Sequence, residues 1–162
     1  LLIDNNLFQS VGGSWGGGTL FQLLQDTGHV VISHNTADQT GSIILTDGKG
    51  QHESFRFTGN VLPHNAYGIV GTGAAFGLGT LQRDFPGAVV TGNVMSGGNA
   101  GRYPELNEFP ETQPPLQRPE SKDPAAVTPS EAAGVNLTQL CAALDVANPS
   151  PTKELAFCRH GD

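Results

Sequence analysis

Two stretches decide the architecture of this chain, HVVISHNTADQTGSIILTDG (29–48) and ESFRFTGNVLPHNAYGIVGTG (53–73). Aligned on Asn35 and Asn60, they read as copies of one unit. An apolar strand runs into Asn, a few extended residues follow, and a second short strand is announced by Gly, Ser or Tyr. Reduced to apolar, any, any, Asn, the unit occurs four times, ending at Asn6, Asn35, Asn60 and Asn93. The spacings are 29, 25 and 33 residues, unequal but inside the range of roughly 20–50 residues that marks solenoids.

Within a unit the residues alternate as a strand does. Val30 and Ile32 alternate with Val31 and Ser33, Phe55 and Phe57 with Arg56 and Thr58, Ala88 and Val90 with Val89 and Thr91. Period two places one set inward and the other outward. No helical stripe of useful length lies between these strands, so a β-α-β arrangement has nowhere to put its helices. The pattern predicts an all-β fold, a parallel β-helix (solenoid) of three short strands per coil, stacked at about 4.8 Å per layer. The four Asn-ended strands predict about four coils. At one corner Asn6, Asn35, Asn60 and Asn93 should form a ladder, each amide pairing backbone groups that leave the sheet where the chain bends.

The Asn-ended strands of residues 1–101 resemble the right-handed parallel β-helix repeats of the pectin-lyase-like superfamily. The segments NVLPHNAYGIVGTG (60–73), FPGAVVTGNV (85–94) and RYPELNEFP (102–110) resemble the C-terminal end of bacterial β-helix repeat proteins. The resemblance implies a right-handed coil, a secreted or periplasmic location and an association with polysaccharide. Any activity would be of the polysaccharide lyase or glycoside hydrolase kind, although this fold also carries inert adhesins. Lyases of this kind use clustered Asp for Ca²⁺ and a basic residue, commonly Arg; here Arg56 is the only cation on a core strand. The related hydrolases need paired Asp and Gly-His-Gly, and Gly28-His29-Val30 is not that motif. No complete catalytic motif is visible, so the rival reading is a structural or adhesive solenoid presenting a protein-binding surface.

Length and composition bound the rest. A chain of 162 residues is expected to form one domain. The net charge of −7 and the lack of any basic run argue against nucleic acid. The same charge repels bare polyuronates unless a cation such as Ca²⁺ bridges them. No cofactor is evident. No apolar run approaches the roughly 20 residues of a membrane span. The chain opens on Leu-Leu-Ile inside a strand, which predicts further N-terminal coils of the same protein. Twenty of the 22 glycines lie at or before residue 101, and seven of the 11 prolines between 104 and 129. That shift divides the chain into coils (1–103) and a Pro-rich arm with a short helix that packs on the solenoid (104–162). NLTQLCAALDVA (136–147) is the helix: Asn136 caps it, Leu137, Leu140, Cys141 and Leu144 share a face, and Asn148-Pro149 stops it. Asn136-Leu137-Thr138 also matches a glycosylation sequon. Cys141 and Cys158 could pair, which would fit an extracellular location.

One corner gathers polar residues. The loops Gln25–Gly28, Asp47–His52 and Gly73–Gly87 follow equivalent strands, so in register they stack as a ledge. It would carry Asp26, His29, Asp47, Lys49, His52, Arg83 and Asp84, a set able to bind a polar glycan, hold Ca²⁺ or supply an acid and a base. A solvated turn edge would have the same composition. Trp15, in the glycine-rich VGGSWGGG (11–18), could stack on a sugar or fold back over the core. Gly71 and Gly73 suggest a dinucleotide fingerprint, but position 76 is Phe and no helix is predicted to follow. His34-Asn35 and His64-Asn65 occupy different phases of the coil, so no metal pair is expected and no metal site is assigned. Finally, the outward column Leu2, Val31, Arg56 and Val89 is mostly apolar. The arm is expected to run back along it, with Leu140 and Leu144 of the helix turned inward.

Overall fold

Each Asn-ended unit opens with a three-residue strand whose middle side chain is apolar and turned inward. In the computed structural model, which describes residues 1–14, 16–114 and 133–147, these strands are β1 (Leu2–Asp4), β5 (Val31–Ser33), β9 (Arg56–Thr58) and β12 (Val89–Thr91). They form one four-stranded sheet, parallel and in register throughout. Ile3, Ile32, Phe57 and Val90 therefore share one column, and the last three are buried. A fully buried side chain of this size stabilises by about 1.5–3 kcal/mol relative to exposure, so the column accounts for much of what holds successive layers together.

After the bend comes a second parallel sheet: β2 (Leu7–Val11), β6 (Thr36–Gln39), β10 (Val61–Pro63) and β13 (Val94–Ser96). A third contains β3 (Phe21–Leu23), β7 (Ile44–Thr46) and β11 (Ile69–Gly71), and a two-stranded fourth pairs β4 (Thr27–Gly28) with β8 (His52–Glu53). Every strand pairing is parallel. The sheets enclose one core of Phe21, Ile32, Ile44, Phe55, Phe57, Leu62, Ile69 and Met95. The all-β parallel architecture agrees with the reading from the repeats.

The corner between the first two sheets works as the repeat predicted, and runs one step further. Asn6 donates from its N–H and Nδ2 to Asn35 Oδ1 (3.0 and 2.9 Å). Asn35 does the same to Asn60 (3.0 and 3.0 Å), and Asn60 to Asn93 (3.0 and 3.0 Å). Asn93 then donates to Asn107 Oδ1 (3.1 and 2.9 Å), a fifth rung. Each later Asn also sends Nδ2 back to the carbonyl of the preceding layer's inward residue, Ile3, Ile32, Phe57 or Val90. The residue before every rung has positive φ: Asn5, His34, Gly59, Gly92 and Leu106. That left-handed step turns the chain between sheets; Gly59 and Gly92 take it without Cβ strain, whereas His34 and Leu106 take it against their preference. The bend thus needs a left-handed residue, and the backbone groups it frees need the Asn that follows.

Beyond Asn107 the chain lies on β13: Glu108 N–H donates to Asn93 O (2.8 Å), and Met95 N–H to Glu108 O (2.9 Å). The ladder therefore continues past residue 103. The 73–87 loop also departs from expectation, because Leu78–Asp84 form a short helix, α1. Local signals for it are weak: the residue before it is Gly77, with no side-chain cap, and its first turn contains Gly79 and Thr80, both poor helix formers. Packing makes it instead. Leu81 and Phe85 are buried in the core, and Thr80 Oγ1 accepts from Gly71 N–H (2.9 Å). The fingerprint Gly71-Thr72-Gly73 still lacks its third glycine, Phe76 standing there.

The second helix, α2, spans Leu137–Ala147, and Asn136 Oδ1 accepts from Gln139 N–H (3.0 Å) as its N-cap. Its entry is anchored to the solenoid corner. Gly134 N–H donates to Gly59 O (2.6 Å), Val135 N–H to Thr36 Oγ1 (2.9 Å) and Asn136 N–H to Asn5 Oδ1 (2.6 Å). Val135 and Leu137 are buried, and Leu140 is half-buried. Residues 134–136 thus return over the ladder corner and β6, where two side-chain oxygens and one backbone carbonyl receive them. They do not follow the Leu2, Val31, Arg56, Val89 column, where Leu2 is 66% exposed. Cys141 is disulfide-bonded. The side chain of Leu144, Cys158 and residues 115–132 lie outside the described residues.

Candidate functional site

The turns leaving the third sheet stack through their own polar groups. Asp47 Oδ1 accepts from Gln25 N–H (3.2 Å) and Lys49 N–H (3.1 Å), and Asp26 Oδ1 accepts from Gln51 N–H (3.1 Å). Gln51 Nε2 reaches Arg83 O (3.3 Å), and Arg83 Nη1 reaches Thr72 O (2.9 Å). The ledge loops expected at 25–28, 47–52 and 73–87 do come together. Hydrogen bonding, led by the Lys49 amide, holds the Asp47 carboxyl below the ordinary carboxylate range.

Two members of the expected set face the wrong way for a ligand. Pairing of β4 with β8 sets Thr27 opposite His52 and Gly28 opposite Glu53, and strand alternation then turns His52 inward and Glu53 outward. His52 is 1% exposed, its Nδ1 lies 2.8 Å from Thr27 Oγ1, and its ring centroid is 4.8 Å from that of Phe85. Burial lowers its pKa, against the pull of Asp84, Asp47 and Asp26. Asp84 is also 1% exposed, accepting from Thr46 Oγ1 (2.5 Å), Arg83 Nη2 (2.8 Å) and Arg83 Nε. Burial opposes its ionisation, but the bonds from Arg83 and Thr46 outweigh that and its pKa is lowered. The Thr46 bond to Asp84 therefore pins α1 to β7, and Arg83, the next residue along the helix, neutralises the buried carboxylate. His29 and Lys49 are exposed; His29 follows β4 and donates its N–H to Glu53 O (3.0 Å). Trp15 lies outside the described residues.

What the stacked turns leave open is a groove of about 560 Å³ lined by Asp26, Thr27, Gly28, Gly50, Gln51 and Glu53. Only Asp26 of the sequence-derived set lines it. Thr27, Gln51 and Glu53 were missed because nothing in a turn sequence distinguishes a lining residue from a solvated one. Among them the groove offers carboxylates, an amide and a hydroxyl, which suits hydroxyl-rich ligands, and its size is that of a small-molecule or sugar site. It holds no exposed imidazole, because His52 sits behind its wall.

Other polar clusters are structural. Ser33 Oγ donates to Asp4 Oδ1 (2.6 Å) and His34 Nδ1 lies 3.0 Å from the same oxygen. Both side chains thus address the carboxylate, and the Ser–His bond that would activate a nucleophile is missing. The Ser33 bond is the main reason the Asp4 carboxyl titrates low. His64 is buried, with Nε2 2.7 Å from Tyr103 Oη and Nδ1 2.9 Å from Asn65 O. Burial pushes the Tyr103 phenol up to about 12, so it stays protonated. It accepts from Ile69 N–H (3.1 Å) and can donate to His64. Among the described residues no group of three or more His, Cys, Asp or Glu side chains converges as a metal site, and no helix is long and apolar enough to cross a membrane.

No protein-family model, no curated protein and no solved structure matches the chain.

Proposed function

We propose that the chain is part of an extracytoplasmic right-handed parallel β-helix of the pectin-lyase-like kind, and that it binds polysaccharide in the groove between residues 26–28 and 50–53. Short parallel strands stacked on an Asn ladder support the fold kinship. The groove carries the functional reading: an open site of about 560 Å³ on the long side of a solenoid, lined by hydrogen-bonding side chains and two glycines. An extended groove edge of this kind suits a chain-like ligand running across successive layers. The reading is one of binding, because the groove shows hydrogen-bonding groups and no complete catalytic motif. His52 is buried and Asp84 is held by Arg83, which leaves Asp26 and Glu53 as the titratable groups that face the groove.

A glycan array followed by calorimetric titration tests this directly. The double variant Gln51→Ala, Glu53→Ala should lose binding while melting like the parent, because β4–β8 pairing is made by backbone and both side chains are exposed. Retained affinity in the double variant would remove the groove from consideration. Failure of the parent to bind any glycan would favour the rival reading, a structural or adhesive solenoid.

A further inference from the structure

A second surface, built from residues that the ledge does not include, carries a different chemistry. Tyr67, in the turn before β11, is 56% exposed, and its ring meets Phe76 edge-on at 6.3 Å between centroids. The Arg102 guanidinium carbon lies 4.2 Å above the centre of the Phe76 ring. Gly77 makes this possible: a Cβ there would sit 2.3 Å from Arg102 O and 3.1 Å from Arg102 Cβ, so only glycine lets the two segments close. Arg102 is exposed, and no carboxylate pairs with it among the described residues, where the ion pairs are His34–Asp4 and Arg83–Asp84.

A guanidinium laid against an aromatic face keeps its N–H donors at its rim, and those donors match an oxyanion in two-pronged fashion. An exposed aromatic ring beside it offers a stacking face for a sugar ring. In a chain of net charge −7, a fixed cation with no carboxylate partner among the described residues is a local exception to a repulsive field. We infer that Tyr67, Phe76 and Arg102 form a subsite for a ring-borne oxyanion, a sugar carrying a carboxylate or a sulfate ester, with Arg102 on the anion, Phe76 fixing Arg102 and Tyr67 under the ring. The inference takes the kind of ligand, but not the place, from the glycan-binding reading.

The test is an NMR titration of the full chain with three probes: methyl glucuronide, glucose 6-sulfate and the neutral methyl glucoside. Both anions should shift the Arg102 Nε–H and Tyr67 ring signals, and the glucoside should bind more weakly. Tyr67→Ala and Arg102→Gln should each weaken anion binding about tenfold, with Arg102→Lys in between. The unchanged amide spectrum of these exposed-site variants reports that the fold is intact. Response to one anion only would assign the source as carboxylate or as sulfate. Equal binding of the neutral sugar, or full affinity in both variants, overturns the subsite. Shifts confined to Thr27, Gln51 and Glu53 overturn it while leaving the groove standing, and no shift at either place sinks both.

Discussion

Replacing Asn60 by Ala removes the middle of the ladder, and the structure gives the cost. Asn60 is fully buried. Its Oδ1 is the acceptor for Asn35 N–H (3.0 Å) and Asn35 Nδ2 (3.0 Å); its Nδ2 donates to Ile32 O (3.0 Å) and Asn93 Oδ1 (3.0 Å). Asn35 Nδ2 keeps Ile3 O and Asn93 Oδ1 keeps the Asn60 N–H, so those two groups stay paired. Ile32 O remains inside the β5–β9 ladder and Thr58 O keeps His34 N–H (3.1 Å), so the group left without its acceptor is Asn35 N–H. The loss is roughly 1–3 kcal/mol, the cost of one buried group left unpaired. A water taking the vacated space can bond to it, which favours the lower end, about 1 kcal/mol. Asn60→Leu fills that space with carbon, excludes the water and should cost more than Ala. Asn6→Ala is the control, since Asn6 is only half-buried and serves as donor to Asn35 and to Asp4 O rather than as a ladder acceptor. Urea unfolding followed by far-ultraviolet circular dichroism measures all three. An Asn60→Ala midpoint within error of the parent, or no lower than that of Asn6→Ala, would refute the view that the ladder stabilises by pairing buried backbone.

Two further outcomes concern the charges behind the groove. His52 has its pKa lowered chiefly by burial, so the unfolded chain takes up the proton first. Stability should be full above the unfolded imidazole value of about 6.5 and be lost as pH falls through the folded value. His52→Gln should flatten the urea midpoint between pH 7 and 5 relative to the parent, and parallel slopes would exclude the burial argument. Arg83→Met leaves Asp84 buried without its guanidinium, which raises the carboxyl pKa and destabilises the fold at neutral pH. In the parent, the lowered pKa contributes stability above the unfolded value of about 3.9 that is lost below it. The variant's deficit should therefore shrink between pH 7 and 4, and a constant deficit would deny the ion pair its role.

The sequence by itself determined the layer. A two-residue alternation running into Asn encodes a strand, an inward column and a bend, and each is a local consequence of backbone geometry. The register of Ile3, Ile32, Phe57 and Val90 could be written down before any coordinates, because shifting one residue would turn the whole column to solvent. The cap of α2 by Asn136 was equally local. Only the tertiary structure decided what lies at the ends and edges. Asn107 escaped the repeat because its spacing from Asn93 is 14 residues and Pro104 holds the place of the inward apolar residue. Helix α1 escaped because two buried side chains and a threonine hydroxyl stabilise it, not its own propensity. The polar corner escaped for the deepest reason. Asp, His, Arg and Gln in turns look alike in sequence, and whether each meets water or the core depends on neighbours 22 to 38 residues away. His52 and Asp84 went to the fold, and Gln51 and Glu53 were left to line the groove.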